Sequence, residues 1–133
     1  HGHVDDIARF VSPNTIMTAV EKNKKDKNFK ILRENLKILK RSKNIDGKKF
    51  RIIQIPMPKA IYINKVKVPA SYLNFYIANK IILLPFFNDE HDKMVLTIFK
   101  RFFKKRKIIP VNCSELIWGF GAIHCMTQQE PLI

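Results

Sequence analysis

The sequence is poor in cysteine and in long apolar runs. Its two cysteines, Cys113 and Cys125, are too few for the disulfide framework of a small secreted protein, and they suit a reducing cytoplasm. The longest apolar run, residues 81–87, contains Pro85 and is far shorter than the roughly 18 to 20 residues of a membrane-spanning helix. These shortages exclude a disulfide-rich scaffold and a transmembrane helix.

Acidic residues are also scarce. Eleven Asp and Glu stand against 25 Lys and Arg, which gives a formal net charge of +14, a value typical of proteins that bind nucleic acid. Over residues 22–49, however, the lysines alternate with other residues at helical spacing, as on a solvent-facing helix. The basic tract at 100–107 matches no nucleic-acid-binding motif. A basic nucleic-acid-binding module is therefore the alternative hypothesis and not the leading one.

The chain is long enough for one domain at most. It has 133 residues, of which 46% are hydrophobic and 27% charged, as in a globular protein. It opens His-Gly-His without an initiator methionine or a signal-peptide pattern. We therefore expect either a processed start or a segment of a longer protein.

A ββαβ order of predicted elements occurs twice along the chain. The first set comprises strands at 3–10, 16–20 and 50–55 and a helix at 28–41. The second set comprises strands at 72–78, 81–85 and 107–111 and a helix at 92–103. We expect units at about 1–60 and 61–116, closed by a strand-rich piece at 117–133. Such units bury their faces by stacking on neighbours.

Polar residues near the start suggest a site. On a strand, side chains alternate with period two, so His3 and Asp5 would share a face and place an imidazole beside a carboxylate. A surface strand that happens to be polar gives the same pattern. A metal site formed by His1, His3 and Asp5 is a further interpretation, although no second ligand-rich cluster appears.

A cysteine near the end is the candidate nucleophile. Gly119 and Gly121 allow close backbone approach ahead of a predicted short strand that carries Cys125. A cysteine in an apolar strand is usually inert, but a nucleophilic cysteine needs a sequence-remote histidine, and His3 is one. Cys113 lacks the glycine-rich lead and is predicted to be inert.

Three blocks of the sequence, residues 2–11, 69–79 and 123–131, resemble the agmatine deiminase family, which is joined with the bacterial peptidylarginine deiminases in the guanidino-modifying superfamily. They read GHVDDIARFV, PASYLNFYIAN and IHCMTQQEP, in the family's order. The resemblance implies an α/β pentein, five ββαβ-type units around a pseudo-fivefold axis. This chain would be roughly its C-terminal two-fifths.

The resemblance also implies roles for three residues. Cys125 matches the family's nucleophile, His3 its acid/base, and Asp5 a carboxylate that grips the substrate guanidinium, with no metal or organic cofactor. Ala122 stands where the family commonly has Asn. The family's Trp-x-Arg-Asp-x-Gly-Pro block, which supplies another guanidinium-binding carboxylate, is absent from the chain. We therefore expect half of an active site, and a segment that neither folds stably nor turns over substrate alone.

The implied reaction converts agmatine to N-carbamoylputrescine and ammonia through a covalent cysteine intermediate, in cytoplasmic polyamine biosynthesis. Peptidyl-arginine is the alternative substrate, and an inactive fragment is a third hypothesis. The implied partners are a small guanidine substrate and the N-terminal remainder of the fold, without nucleic acid or membrane; a homo-oligomer stays open. The testable geometric expectation is that Cys125, His3 and Asp5 converge.

Overall fold

The computed structural model describes residues 3–130, and it contains the ββαβ order twice. The first unit consists of β1 (Ala8–Ser12), β2 (Thr15–Val20), α1 (Asn28–Arg41) and β3 (Arg51–Pro56). It is followed by a hairpin whose strands, β4 (Tyr62–Ile63) and β5 (Val66–Lys67), have two residues each. The second unit consists of β6 (Tyr76–Ile77), β7 (Ile81–Phe86), α2 (Asp92–Phe102) and β8 (Lys107–Asn112). No helix within residues 3–130 is long and apolar enough to cross a membrane.

Both units have the same sheet topology. In each, the first two strands form an antiparallel pair, and the helix crosses over to bring the third strand parallel to the second, giving the orders β1-β2-β3 and β6-β7-β8. A tight turn can join only antiparallel neighbours, whereas a parallel neighbour requires a crossover connection such as a helix. The predicted short turns and the two predicted helices therefore dictate this arrangement.

The core is richest in the second unit. Phe75 lies edge-on to Phe99 on α2, with ring centroids 5.0 Å apart, and both side chains are fully buried. The N-terminus of α2 is fixed by the buried carboxylate of Asp92, which accepts hydrogen bonds from the Tyr72 hydroxyl at 2.6 Å and from the Phe87 backbone N–H. Aromatic packing thus ties the segment before β6 to the helix behind its sheet.

The start of the first unit differs from the prediction. Residues 4–6 form a 3₁₀ turn (Val4–Asp6), and the strand begins only at Ala8. Backbone bonds from Asp6 N–H to the His3 carbonyl and from Ile7 N–H to the Val4 carbonyl close this turn. The period-two argument that placed His3 and Asp5 on one strand face is therefore wrong, because both residues precede the strand.

Two other predicted strands are also wrong or too long. β6 contains two residues instead of 72–78, since Asn74 N–H bonds back to the Ser71 carbonyl in a turn. Over residues 117–130 the predicted strand-rich piece is replaced by two 3₁₀ turns, Leu116–Gly119 and His124–Met126, with no strand. The remaining residues of that prediction, 131–133, lie outside the described residues.

Candidate active site

Asp5 and Cys125, which are 120 positions apart in sequence, meet at the junction of the two units. The Cys125 thiol donates to Asp5 Oδ2 over 3.4 Å. Asp5 sits in the Val4–Asp6 turn ahead of β1, and Cys125 sits in the His124–Met126 turn. The structure therefore brings together two of the three residues that the sequence singles out.

Asn74 connects these groups. Its amide nitrogen lies 3.2 Å from Asp5 Oδ2, 2.9 Å from Asp6 Oδ1 and 3.0 Å from Cys125 Sγ. Its side-chain oxygen accepts the Cys125 backbone N–H at 3.2 Å, and its backbone carbonyl accepts the His124 N–H at 3.1 Å. Because the residue is fully buried, these contacts fix the position of the thiol relative to both carboxylates.

Asn74 has no role in the sequence prediction, although it lies in one of the blocks that carry the resemblance. The available signal is its setting, a polar amide between apolar and aromatic residues that the structure buries completely. A buried amide must find hydrogen-bond partners. That requirement points to a polar site but does not identify the partners.

Two histidines flank the site. His124 Nδ1 lies 2.8 Å from Asp5 Oδ2, so the imidazole beside the cysteine orients the carboxylate. His3 is exposed and immediately precedes the Val4–Asp6 turn. The expectation that the His3 ring approaches the Cys125 sulfur stays a prediction. The role of His124 has no counterpart in the sequence prediction.

Gly121 leaves room for Cys125, the candidate nucleophile. A Cβ at this position would lie 2.7 Å from Cys125 Cβ, closer than non-bonded carbon atoms come, and 3.1 Å from its Sγ, a tight contact. The preceding Phe120 adopts a left-handed backbone conformation with φ of 61°, which favours glycine. The segment leading to Cys125 is therefore shaped by one glycine that cannot be replaced without moving the thiol.

The carboxylates have opposite pKa shifts. Burial raises the pKa of Asp5, but the hydrogen bonds from His124 and Cys125 outweigh it, and the pKa is lowered. Burial and the neighbouring Asp5 charge raise the pKa of Asp6 to about 6. Burial also raises the pKa of the Cys125 thiol, and the hydrogen bond from Asn74 opposes that rise. The free site at neutral pH thus holds an anionic Asp5 next to a largely protonated thiol.

The other candidates give no second site. Cys113 is fully buried, its thiol faces the Val111 carbonyl at 3.4 Å, and burial raises its pKa, as expected for an inert thiol. Among residues 3–130 no group of three or more His, Cys, Asp or Glu side chains is arranged to hold a metal ion. The metal interpretation needed His1, which lies outside the described residues.

The two ββαβ units have the fold of the guanidino-modifying penteins. The family model described as Porphyromonas-type peptidyl-arginine deiminase matches residues 1–131, and the chain belongs to this family.

Relatives and solved structures agree with this assignment. A Legionella pneumophila (strain Philadelphia 1) protein named "Putative agmatine deiminase" is 38% identical over 131 residues, covering 98% of this chain and 38% of its own length. A Porphyromonas gingivalis structure described as a "Putative Arginine Deiminase" is 32% identical with a TM-score of 0.95, over 98% of this chain and 38% of that one. The agmatine deiminase of Enterococcus faecalis is 26% identical with a TM-score of 0.90, over 98% and 40%.

These neighbours confirm the α/β class and the pentein fold expected from the sequence. The chain spans about two-fifths of the length of the relatives and structures that it matches.

Proposed function

We propose that this protein hydrolyses the guanidinium of agmatine, giving N-carbamoylputrescine and ammonia through a covalent intermediate on Cys125. The observation that carries the proposal is the contact between the Cys125 thiol and Asp5, bridged by the buried Asn74 amide. A cysteine beside a carboxylate suits a planar, cationic substrate whose carbon must be presented to sulfur. Membership of the deiminase family supports the same chemistry.

Asp5 is the group that would orient the substrate. Because its pKa is lowered, it stays anionic throughout the neutral range and can accept hydrogen bonds from guanidinium N–H groups. Such bonds hold the guanidinium in one plane beside the sulfur. We assign Asp5 the binding role on this basis.

Substrate charge would activate the nucleophile. In the free site the negative charges of Asp5 and Asp6 help to raise the pKa of Cys125, so the thiolate is disfavoured. A guanidinium bound between the carboxylate and the sulfur offsets that charge and favours ionisation of the thiol. The thiolate therefore forms mainly when substrate is present, which protects the cysteine from other electrophiles.

The reaction then has two steps. Sulfur attacks the guanidinium carbon, a C–N bond breaks, and His3 as general acid gives a proton to the departing ammonia, leaving an amidino-thioether on Cys125. Water, deprotonated by the same imidazole, attacks that carbon and displaces the sulfur. The product carries a ureido group, and the enzyme regains its thiol and protonated imidazole.

Peptidyl-arginine is the second candidate substrate. The matching family model is described as a peptidyl-arginine deiminase, whereas curated relatives are named for agmatine. Both substrates present the same guanidinium to Asp5 and Cys125, so the described residues favour neither. The agmatine-named Legionella relative is 38% identical and the arginine-named Porphyromonas structure 32%, and we give agmatine first. We expect the enzyme to act in the cytoplasm, where free thiols persist.

The test is ureido-product formation by the full-length protein with agmatine and with an arginine-containing peptide. Cys125→Ala should lower kcat by about a thousandfold or more, because the covalent step is lost. Cys113→Ala is the matched control and should leave kcat within about twofold, since its buried thiol faces a carbonyl away from the site. No turnover of either substrate by the unmodified protein would refute the proposal.

A further inference from the structure

Arg9 on β1 crosses from the first unit to the second. Its Nη1 donates to the Leu73 carbonyl at 3.1 Å and to the Phe75 carbonyl at 3.0 Å, which are the carbonyls on either side of Asn74. The guanidinium carbon also lies 4.7 Å from the centroid of the Phe75 ring, in cation–π contact. One side chain therefore holds the carbonyls on both sides of Asn74, the residue that contacts the nucleophile.

The hydrogen bonds from Arg9 complete the set that holds the backbone of residues 73–75 in place. The carbonyl of Asn74 itself accepts the His124 backbone N–H, so three consecutive carbonyls, those of residues 73–75, all receive hydrogen bonds. Phe75 is locked from behind by Phe99. With its backbone held on both sides, Asn74 can keep its amide at 3.0 Å from Cys125 Sγ.

We propose that Arg9 is a positioning residue that acts through Asn74 to stabilise the thiolate of Cys125. The proposal rests on the proposed function only in taking Cys125 as the nucleophile. Arg9 touches neither substrate nor sulfur in this scheme. It keeps the Asn74 amide aimed at the sulfur, and that hydrogen bond lowers the pKa of the thiol against the opposing effect of burial.

The titratable and charged groups at the thiol define what else could shift its titration. They are Asp5 and Asp6 from the Val4–Asp6 turn, His124 beside the cysteine, Arg9 from β1 and, in the proposed mechanism, His3. The carboxylates oppose ionisation of the thiol, and a cationic Arg9 favours it. An effect of Arg9 through its charge alone must therefore be separated from an effect through its paired hydrogen bonds.

The experiment measures the pH dependence of carbamidomethylation of Cys125 by iodoacetamide in the full-length protein, with the modified peptide quantified by mass spectrometry. Arg9→Met should raise the apparent thiol pKa by about half to one unit and slow modification at pH 7 about three- to tenfold, because the thiolate is the reactive form. Arg9→Lys keeps the charge, but its Nζ lies one bond nearer the backbone than the Nη1 that makes both bonds and falls short of the two carbonyls, so it should behave like Arg9→Met. A Lys variant that titrates like the unmodified protein would overturn the proposal.

A matched control is available in the second unit. Arg106 Nε donates to the Ala78 carbonyl at 3.1 Å, an arginine-to-carbonyl bond at an exposed position. Arg106→Met should leave the titration of Cys125 unchanged. A shift as large as that of Arg9→Met would show that loss of any such arginine perturbs the thiol, and the specific role of Arg9 would fail.

A double variant tests whether Arg9 acts through Asn74. Asn74→Ala alone should raise the thiol pKa at least as much as Arg9→Met, and adding Arg9→Met to it should produce no further shift. A full additional shift would mean that Arg9 acts on the sulfur directly. Thermal unfolding selects the folded variants, and Arg9→Lys serves if Arg9→Met does not fold.

Turnover gives the second readout. If agmatine is the substrate, Arg9→Lys should lower kcat about three- to tenfold with KM within twofold, because the nucleophile and not the binding carboxylate is affected. A change confined to KM would contradict the positioning role. Alkylation requires no turnover, so a protein inactive on both agmatine and the arginine-containing peptide would refute the proposed function while leaving the thiol titration to decide the role of Arg9.

Discussion

The two ββαβ units have the same topology but unequal interiors. α1 in the first unit buries Leu32, with Leu36 and Leu39 only partly covered, whereas α2 in the second unit buries Val95 and Phe99. The second unit also holds the edge-to-face contacts of Phe75 with Phe99 and Phe103. The same chain path can therefore carry a well-packed core in one copy and a thinner one in the next.

The charged groups of the candidate site lie in the first unit, the one with the thinner core. The first unit contributes the charged groups Asp5 and Asp6, and the second contributes the neutral amide of Asn74. Asp6 and Asn74 each stand two residues before the first strand of their own unit, and their side chains are hydrogen-bonded at 2.9 Å. The repeat thus brings equivalent positions into contact, and a carboxylate in one copy is matched by an amide donor in the other.

The largest expected effect tests whether the first unit supplies the binding charge. Asp5→Asn should lower kcat/KM for agmatine roughly a thousandfold in the full-length protein, because the anionic acceptor of the guanidinium is lost. Steady-state kinetics measures it. Asp46→Asn, in an exposed turn of the same unit, should leave kcat/KM unchanged. A loss below tenfold for Asp5→Asn would remove Asp5 from the binding role.

The next prediction concerns the interiors. Phe99→Ala should reduce the free energy of unfolding by about 3 to 5 kcal/mol, and Leu32→Ala by about 2 to 3 kcal/mol, since both side chains are buried but differ in size and packing. Ile38→Ala, at a residue 57% exposed on α1, should change it by less than about 0.5 kcal/mol. Urea titrations measure all three. Equal losses for Phe99 and Leu32 would erase the difference between the units.

A third prediction concerns the segment that brings the cysteine to the two units. Gly121→Ala should lower kcat about ten- to a hundredfold, because the new methyl group would displace the Cys125 side chain and a shift of about 1 Å misaligns the thiol. Gly119→Ala has open space around its Cβ position, so its kcat should be close to that of the unmodified protein. If both substitutions have the same effect, loop stiffness explains the result and the contact with Cys125 does not.

The smallest effect sharpens the pairing of Asp6 with Asn74. Asp6 titrates near pH 6 in the folded state, above its unfolded value of about 3.8, so the folded protein binds the extra proton and loses stability as pH rises from about 4 through 6. Asp6→Asn removes this loss and still accepts the Asn74 bond. At pH 7.5 the free energy of unfolding of Asp6→Asn should be higher by about 1 kcal/mol, a value that allows for solvent screening of a partly exposed carboxyl.

Urea titrations at pH 7.5 and pH 4 measure that difference. The stability advantage of Asp6→Asn should disappear at pH 4, where Asp6 is protonated in the folded protein. An advantage that is the same at both pH values would show that the titration of Asp6 is not its cause.

Local patterns predict the helices well and the site poorly. The helix predicted at 28–41 has those bounds in the structure, because the spacing of its leucines is a local signal. The predicted strand around Cys125 is a 3₁₀ turn instead, since Asn74, 51 residues away, accepts its backbone N–H. No periodicity within either segment contains that contact.

Resemblance filled part of this gap. It paired Cys125 with Asp5 across 120 positions, which spacing alone did not do. It gave no role to Asn74, His124 and Arg9, whose contacts depend on how the two units meet. Candidate site residues can be carried over from a motif, but the groups that orient them depend on tertiary packing.

The Asn74 amide has fewer hydrogens than neighbours to receive them. Its NH₂ group carries two protons, while Asp5, Asp6 and Cys125 place three acceptors within 3.2 Å. One of the three acceptors therefore receives no hydrogen bond from Asn74 at any moment. While the thiol keeps its proton it can donate to Asp5, and the shortage is relieved. Once the sulfur is ionised it competes with both carboxylates, unless a guanidinium occupies Asp5 or a proton occupies Asp6. Which acceptors the Asn74 amide contacts therefore depends on the number of protons in the site.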